Sequence, residues 1–104
     1  MVQVVVSPKA REDLVAIRQY IQNELGSPDA ARRILQKLKD SMLSLESMPQ
    51  RGTPLDAVLP FHTDYRFLVC DRYTIFYTVS GAQVQILRVL HQLQDCMKVL
   101  FPSK

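Results

Sequence analysis

The residues of this chain with the most versatile chemistry lie late in the sequence, between Tyr65 and Asp95. The set comprises Arg66, Arg72, Tyr73, Tyr77, Arg88 and His91. The imidazole of His91 has an unperturbed pKa near neutrality, so it can give or take a proton at physiological pH. The arginine guanidinium groups are permanently charged, and their planar array of donors fits a phosphate. We therefore look for function in this part of the chain.

Each of these residues also has a structural interpretation. Arg88 sits among core-forming residues, where it would pair with a carboxylate such as Asp71 or Asp95, or with a partner protein. His91 fits a hydrogen-bonded structural histidine as well as a catalytic one. The two tyrosines are four positions apart, which puts them on one face of a strand as core or interface aromatics. The residues alone leave these alternatives open.

Three short strands are predicted to carry these side chains. They span Tyr65 to Cys70, Tyr73 to Val79 and Val84 to Leu90, and they are rich in aromatic and branched apolar residues. Short links, Asp71-Arg72 and Ser80-Gly81-Ala82, lie between them, so they must form an antiparallel meander. Simple alternation along the last strand predicts one face formed by Val84, Ile86, Arg88 and Leu90.

Two helices are predicted before these strands, each with the same start signal. Ser7 and Ser27 can cap a helix, and each is followed by a proline, which is favoured at the first helical position. The first helix should end at Gly26 and the second should run to Met48, both with an apolar stripe. The opposite side of the second helix is basic, which fits either a solvated surface or a contact with RNA or DNA.

A further strand, Val2 to Val6, opens the chain, and a loop from Pro49 to Asp64 separates helices from meander. The expected fold is therefore α+β, in the order β-α-α-β-β-β, with a helical hairpin packed on one face of a four-stranded sheet. We expect a single domain over residues 1–104, with a tail from 96 to 104. The other face of the sheet is partly apolar and needs cover from this tail or from a partner.

Composition excludes several classes of function. The 104 residues are 47% hydrophobic and 22% charged, with a net charge of +3 and no run of basic residues, so no nucleic-acid-binding stripe is predicted. No segment has the apolar length of a signal-peptide core or a membrane span, and a cytoplasmic protein without a membrane partner is expected. Cys70 and Cys96 fit reduced thiols. We expect no cofactor, no metal and no small-molecule substrate.

Four short motifs along the chain carry a family resemblance. They are Ser7-Pro8-Lys9-Ala10 with Asp13-Leu14, Pro49 with Arg51-Gly52, Arg72-Tyr73 with Ile75-Phe76-Tyr77, and Ile86 through His91 followed by Asp95. In this order and spacing the chain resembles the RelE/ParE toxin superfamily of bacterial type II toxin–antitoxin systems. The resemblance implies a small toxin that is silenced by an antitoxin, whose C-terminal segment wraps around it.

Two activities occur among proteins of this superfamily. RelE-like members are ribosome-dependent mRNA endonucleases that use no metal, and for them the resemblance implies catalytic roles for Arg66, Arg88 and His91. The required chemistry is deprotonation of a ribose 2′-OH, stabilisation of the phosphorane and protonation of the leaving oxygen. However, Val69 and Thr74 stand where such members carry arginines, and there is no Lys from Asp40 to Met97.

ParE-like members instead bind DNA gyrase and have no catalytic site of their own. The ending Arg-Val-Leu-His followed by Asp95 is closer to that branch, so we favour a gyrase-binding toxin. The second helix, the 49–64 loop and the tail are expected to contact the target. The candidates for partner binding are Arg72, Tyr73, Tyr77 and Asp95. A third possibility is an inactive toxin that survives only within a repressor complex with its antitoxin.

Overall fold

The computed structural model describes residues 2–57, 59, 61–92 and 100. Its elements are β1 (Gln3–Val6), α1 (Pro8–Asn23), α2 (Pro28–Leu43), β2 (Thr53–Pro54), β3 (Arg66–Cys70), β4 (Tyr73–Ser80) and β5 (Gln83–His91). The strands form a single sheet in the order β1-β5-β4-β3-β2, with β1 parallel to β5 and the other pairs antiparallel. The predicted α+β order is therefore confirmed.

The sheet has one strand more than the sequence predicted. Thr53 pairs with Phe67 and Pro54 with Arg66, so a two-residue strand forms at the edge inside the predicted 49–64 loop. Proline lacks a backbone N–H and is tolerated at a sheet edge. This pairing brings the start of the loop against β3.

Both helices begin where the sequence predicts. The hydroxyl of Ser7 accepts a hydrogen bond from the Ala10 amide, and that of Ser27 accepts one from the Ala30 amide. Gly26 has a φ of +64° in the short link between the helices, a conformation that glycine adopts without steric cost. The second helix ends at Leu43 rather than at Met48, and a 3₁₀ turn over Ser44–Glu46 follows it. Neither helix in the described part of the chain is long and apolar enough to cross a membrane.

The main core lies between the helical hairpin and one face of the sheet, which we call the helix-covered face. Its fully buried side chains include Leu38 from α2, Ile75 and Tyr77 from β4, and Ile86 from β5. Full burial of one such aliphatic side chain contributes about 1.5–3 kcal/mol. The apolar stripes of the helices are therefore what fixes the hairpin on the sheet.

A bulge in β5 changes which side chains share a face. Tyr77 pairs with Ile86 whereas Phe76 pairs with Arg88, so Leu87 is an extra residue on this strand. A bulge of one residue reverses the alternation that follows it. The predicted alternation is right through Ile86 and wrong beyond it: Val89 joins the main core, and Leu90 faces the other side of the sheet.

The opposite face of the sheet, which we call the loop-covered face, has a smaller apolar cluster. Leu55, Phe76 and Leu90 are buried there, and Leu59, Tyr65, Phe67 and Leu100 pack against them. Much of the cover thus comes from the connection between β2 and β3, in addition to Leu100 of the predicted tail. The other residues of that tail lie outside the described part of the chain. Val69 on β3 stays 63% exposed.

Candidate functional site

Arg88 is paired with a carboxylate that sequence reasoning did not identify. Its Nε and Nη2 atoms donate to the two carboxylate oxygens of Asp13 on α1, at 2.8 and 2.9 Å. This bidentate bond raises the pKa of Arg88 and holds the guanidinium in a fixed orientation. The expectation of a carboxylate partner is confirmed, but Asp71 is the wrong partner, and Asp95 lies outside the described residues.

The same carboxylate completes an unpaired edge of the sheet. β1 ends at Val6, opposite Ile86, whereas β5 continues beyond that point. The amide of Val89 donates to Asp13 at 2.9 Å, and the Leu87 carbonyl accepts from the Ser7 hydroxyl at 3.0 Å. Two side chains from the start of α1 therefore replace the missing strand, which satisfies polar groups that would otherwise be costly to bury.

The side chain of Arg66 is hydrogen-bonded to the loop that precedes β2. Its Nη1 donates to the Gly52 carbonyl at 2.8 Å and lies 3.4 Å from the Gln50 carbonyl oxygen. The Gly52 amide in turn donates to the Tyr77 hydroxyl at 2.8 Å. A Cβ at position 52 would lie 2.5 Å from that hydroxyl and 2.8 Å from the Phe67 carbonyl oxygen. The Arg51-Gly52 motif is thus explained by a contact too close for any side chain.

The two candidate tyrosines are core residues. Tyr77 has no exposed surface, and burial raises the pKa of its phenol. A direct contact between Tyr77 and a partner is therefore incompatible with this structure. Tyr73 is 6% exposed, and burial is also the main reason why its pKa is raised. Both phenols remain protonated at neutral pH.

His91 packs against Tyr73 at the end of β5. The two rings meet edge to face, with their centroids 5.2 Å apart and an interplanar angle of 87°. They border a pocket of about 420 Å³ between α1 and β5. Its other lining residues are Asp13, Ala16, Ile17, Tyr20 and Val89. This pocket is open to solvent, although its lining is mostly apolar and aromatic.

The three candidate catalytic residues thus engage three different sets of contacts. Arg66 binds loop carbonyls, Arg88 binds a carboxylate of α1, and His91 packs on a tyrosine. Cleavage at a ribose 2′-OH needs a base and phosphate-binding cations directed at one position. In this structure each of the three side chains is engaged by neighbours of its own.

Arg72 is exposed, unlike Tyr73 and Tyr77, the two other described members of the candidate partner-binding set. It lies in the turn between β3 and β4, and its carbonyl accepts from the Gln92 amide. Asp71 beside it has a φ of +58° and lies 3.3 Å from the Lys37 ammonium of α2. This turn therefore presents charged groups at the end of the sheet. The remaining candidate, Asp95, lies outside the described residues.

A concave groove lies between the two helices. It encloses about 700 Å³, and its apolar lining is Val6, Leu14, Val15, Pro28, Ala31, Leu35 and Met42. The polar lining is Arg18, Gln22, Arg32, Gln36 and Lys39. None of the described lining residues is acidic. Arg32 also lies 3.4 Å from the exposed Asp29, a contact of little energetic weight.

Sequence reasoning missed this groove, although one signal was present. Val15 lies beside the predicted apolar stripe of α1 and is 46% exposed. An apolar residue at the margin of a buried stripe widens it toward the neighbouring helix. Among the described residues, no group of three or more His, Cys, Asp or Glu side chains is arranged to hold a metal ion.

A sequence profile of the ParE toxins of type II toxin–antitoxin systems (parDE) matches residues 4–96. The chain belongs to the ParE toxin family. It is 38% identical to Toxin RelE2 of Caulobacter vibrioides over 91 aligned residues. The aligned region covers 88% of this chain and 96% of that protein. The predicted RelE/ParE superfamily is confirmed, and the chain is the toxin of a type II toxin–antitoxin system.

Two solved structures share the ParE-family fold seen here. A chain of the chromosomal ParDE system of P. aeruginosa superposes with a TM-score of 0.72 at 24% identity, over 88% of this chain and 96% of that one. A chain of the RelB–RelE antitoxin–toxin complex of Methanococcus jannaschii gives 0.50 at 17% identity, over 94% and 99%. At these identities the likeness concerns the fold alone.

Proposed function

We propose that this toxin arrests growth by binding DNA gyrase and that it catalyses no reaction of its own. The observation that carries the proposal is the separate engagement of Arg66, Arg88 and His91. A bidentate Arg–Asp pair that also completes a sheet edge is a structural arrangement, and freeing the guanidinium for a phosphate would break it. The proposed action is in the cytoplasm, where gyrase acts.

The cognate antitoxin is the second proposed partner, and the groove between α1 and α2 is its proposed docking surface. The apolar floor can bury the apolar face of a partner helix. Arg18, Arg32 and Lys39 add a cationic rim. Charge complementarity therefore favours an amphipathic antitoxin segment whose polar side is acidic.

Charge reversal tests this docking surface. Arg18→Glu combined with Lys39→Glu should weaken binding of the cognate antitoxin by about tenfold or more, with a smaller salt dependence. Lys9→Glu is the matched control, because Lys9 is exposed on α1 but does not line the groove. Titration calorimetry at two salt concentrations measures both effects. Equal losses in the control and the double variant would exclude the groove.

A RelE-like ribosome-dependent endonuclease is the alternative activity, because the Caulobacter relative bears the name Toxin RelE2. The two activities differ in what stops first when the chain is induced without its antitoxin. We expect incorporation of labelled thymidine to fall before that of labelled methionine. The reverse order would replace the gyrase proposal with the endonuclease. Absence of growth arrest would instead indicate the third possibility, an inactive toxin within a repressor complex.

Variants at the candidate catalytic residues provide a second readout. The endonuclease requires that His91→Ala and Arg88→Ala both abolish toxicity while antitoxin binding is retained. The gyrase proposal expects His91→Ala to stay toxic, since it gives this ring a packing role against Tyr73 and no catalytic role. Supercoiling by purified gyrase in the presence of the toxin completes the test.

A further inference from the structure

A histidine lies between two carboxylates in the connection between β2 and β3. The Nδ1 atom of His62 is 2.7 Å from Oδ2 of Asp56, and its Nε2 atom is 3.4 Å from Oδ1 of Asp64. The other oxygen of Asp56 accepts from the Thr63 amide at 2.6 Å. We call these three charged side chains the clasp. They connect the two ends of the segment that covers one face of the sheet.

The geometry of the clasp identifies the protonation state that it fits. A neutral imidazole has one N–H donor, whereas an imidazolium ion has two. Here both ring nitrogens face carboxylate oxygens, so both contacts are attractive only when the ring of His62 is protonated. After loss of one proton, a nitrogen lone pair must face a carboxylate. The arrangement is therefore that of the charged form.

The segment joined by the clasp has a definite structural role. We define the cover loop as Leu55–Ala57, Leu59 and Phe61–Tyr65. Leu55 is buried against Phe76 and Leu90, and Tyr65 packs on the same cluster. The Leu55 amide donates to the Tyr65 carbonyl at 2.8 Å, which closes the base of the loop. Opening of the loop would expose apolar surface of β4 and β5.

We propose that the clasp is a proton-dependent latch, which holds the cover loop on the sheet when His62 is charged and loosens it when His62 is neutral. The hydrogen bond that His62 donates to Asp56, followed by the charges of Asp56 and Asp64, raises the pKa of His62. A raised pKa in the closed state means that the latch contributes fully at low pH and is lost as the pH rises through that pKa. Among the described residues, the charged groups that face this ring are those two carboxylates.

The consequence is a surface whose accessibility depends on pH. The loop-covered face would be exposed more often above neutrality than below it, and the surface gained is apolar. This inference does not depend on whether the toxin acts on gyrase or on the ribosome.

Hydrogen exchange of the Thr63 amide tests the latch, because in the closed loop this amide donates to Asp56, the carboxylate that also binds His62. The full chain, made by cell-free synthesis, would be followed by NMR from pH 5.5 to 8.5. After correction for the intrinsic exchange rate, protection should fall by about two- to fivefold as His62 loses its proton, the range expected for exposed ion pairs. The Ala30 amide, capped by Ser27 on α2, should show no such change.

Two variants separate the latch from a general effect of pH. His62→Gln removes the titrating group and should abolish the pH dependence of protection at Thr63. Asp64→Asn retains the contact with Asp56 but removes one carboxylate, so it should lower the pKa of His62 and reduce the change. Protection that does not vary with pH in the unmodified chain, or that varies equally in His62→Gln, would overturn the proposal.

Discussion

The two faces of the sheet are covered in different ways. The helix-covered face is packed by two helices with capped starts and apolar stripes, and its buried side chains form one continuous cluster. On the loop-covered face only Leu55, Phe76 and Leu90 are buried among the described residues of the smaller cluster. Its cover is an irregular segment held by polar contacts at the surface.

The two kinds of cover should respond differently to pH and salt. Burial of apolar area supplies most of the free energy of folding, and it depends little on pH or salt. Exposed hydrogen bonds and ion pairs contribute little and are sensitive to both. The helix-covered face should therefore remain closed under conditions in which the loop-covered face opens. Local opening with a lower free energy than global unfolding is the expected behaviour of such a segment.

The largest effects should come from truncating a core leucine on each face. Leu38→Ala removes a fully buried side chain of α2 and should lower the free energy of unfolding by about 2–5 kcal/mol. Leu55→Ala removes the same atoms from the cover loop, which can collapse into the space, so the loss should lie at or below the lower end of that range. Urea denaturation of both variants measures the difference. Equal losses would show that the two faces are equally well packed.

Removal of the Asp13 carboxylate tests the polar contact between α1 and the edge of β5. The side chains of Arg88 and Asp13 are 24% and 12% exposed, and Asp13→Ala leaves both this guanidinium and the Val89 amide without a partner. We expect a loss of about 2–3 kcal/mol, which is below the range for a fully buried pair because some solvent reaches it. Arg88→Met removes the positive charge that Asp13→Ala leaves unpaired. The double variant should therefore lose less free energy of unfolding than the sum of the two single variants. Additive losses would mean that the pair does not act as a unit.

Gly52 joins the two faces, since it lies against Tyr77 of β4 and Phe67 of β3. Gly52→Ala places a methyl group 2.5 Å from the Tyr77 hydroxyl, and we expect a loss of about 1–3 kcal/mol. Tyr77→Phe removes the acceptor of the Gly52 amide and should cost a similar amount, about 1–3 kcal/mol. With the hydroxyl absent, the added methyl group should be better tolerated. Thermal unfolding of the two single variants and the double variant measures this coupling.

The sequence predicts the helix-covered face better than the loop-covered face for a physical reason. Ser7-Pro8 and Ser27-Pro28 are local signals, and apolar periodicity reports which side of each helix is buried. These signals place β1, the helical hairpin and the meander in the correct order. The cover loop has no period, and its contacts depend on where β2 places its first residue.

The candidate site was predictable only in part, because its contacts join residues that are far apart in the sequence. The sequence identified Arg88 as a residue in need of a carboxylate, but Asp13 is 75 positions away. Only the packing of α1 beside β5 brings them together. The bulge at Leu87 was equally hidden, because apolar residues stand on both sides of it and either alternation would bury some of them. The gyrase and ribosome alternatives depend on surfaces of partners and cannot be read from this chain alone.

The smallest effect is expected at the turn between β3 and β4. A residue other than glycine adopts a left-handed backbone conformation there. Asp71 has a φ of +58°, and glycine adopts this region without the steric cost of a Cβ. Asp71→Gly also removes the exposed contact with Lys37 on the helix-covered side. Because exposed ion pairs contribute little, relief of the backbone should exceed that loss and raise the free energy of unfolding by about 0.5 kcal/mol. Lys37→Ala removes the same ion pair without changing the turn. A melting temperature of Asp71→Gly at or below that of Lys37→Ala would therefore show that the glycine brings no backbone relief.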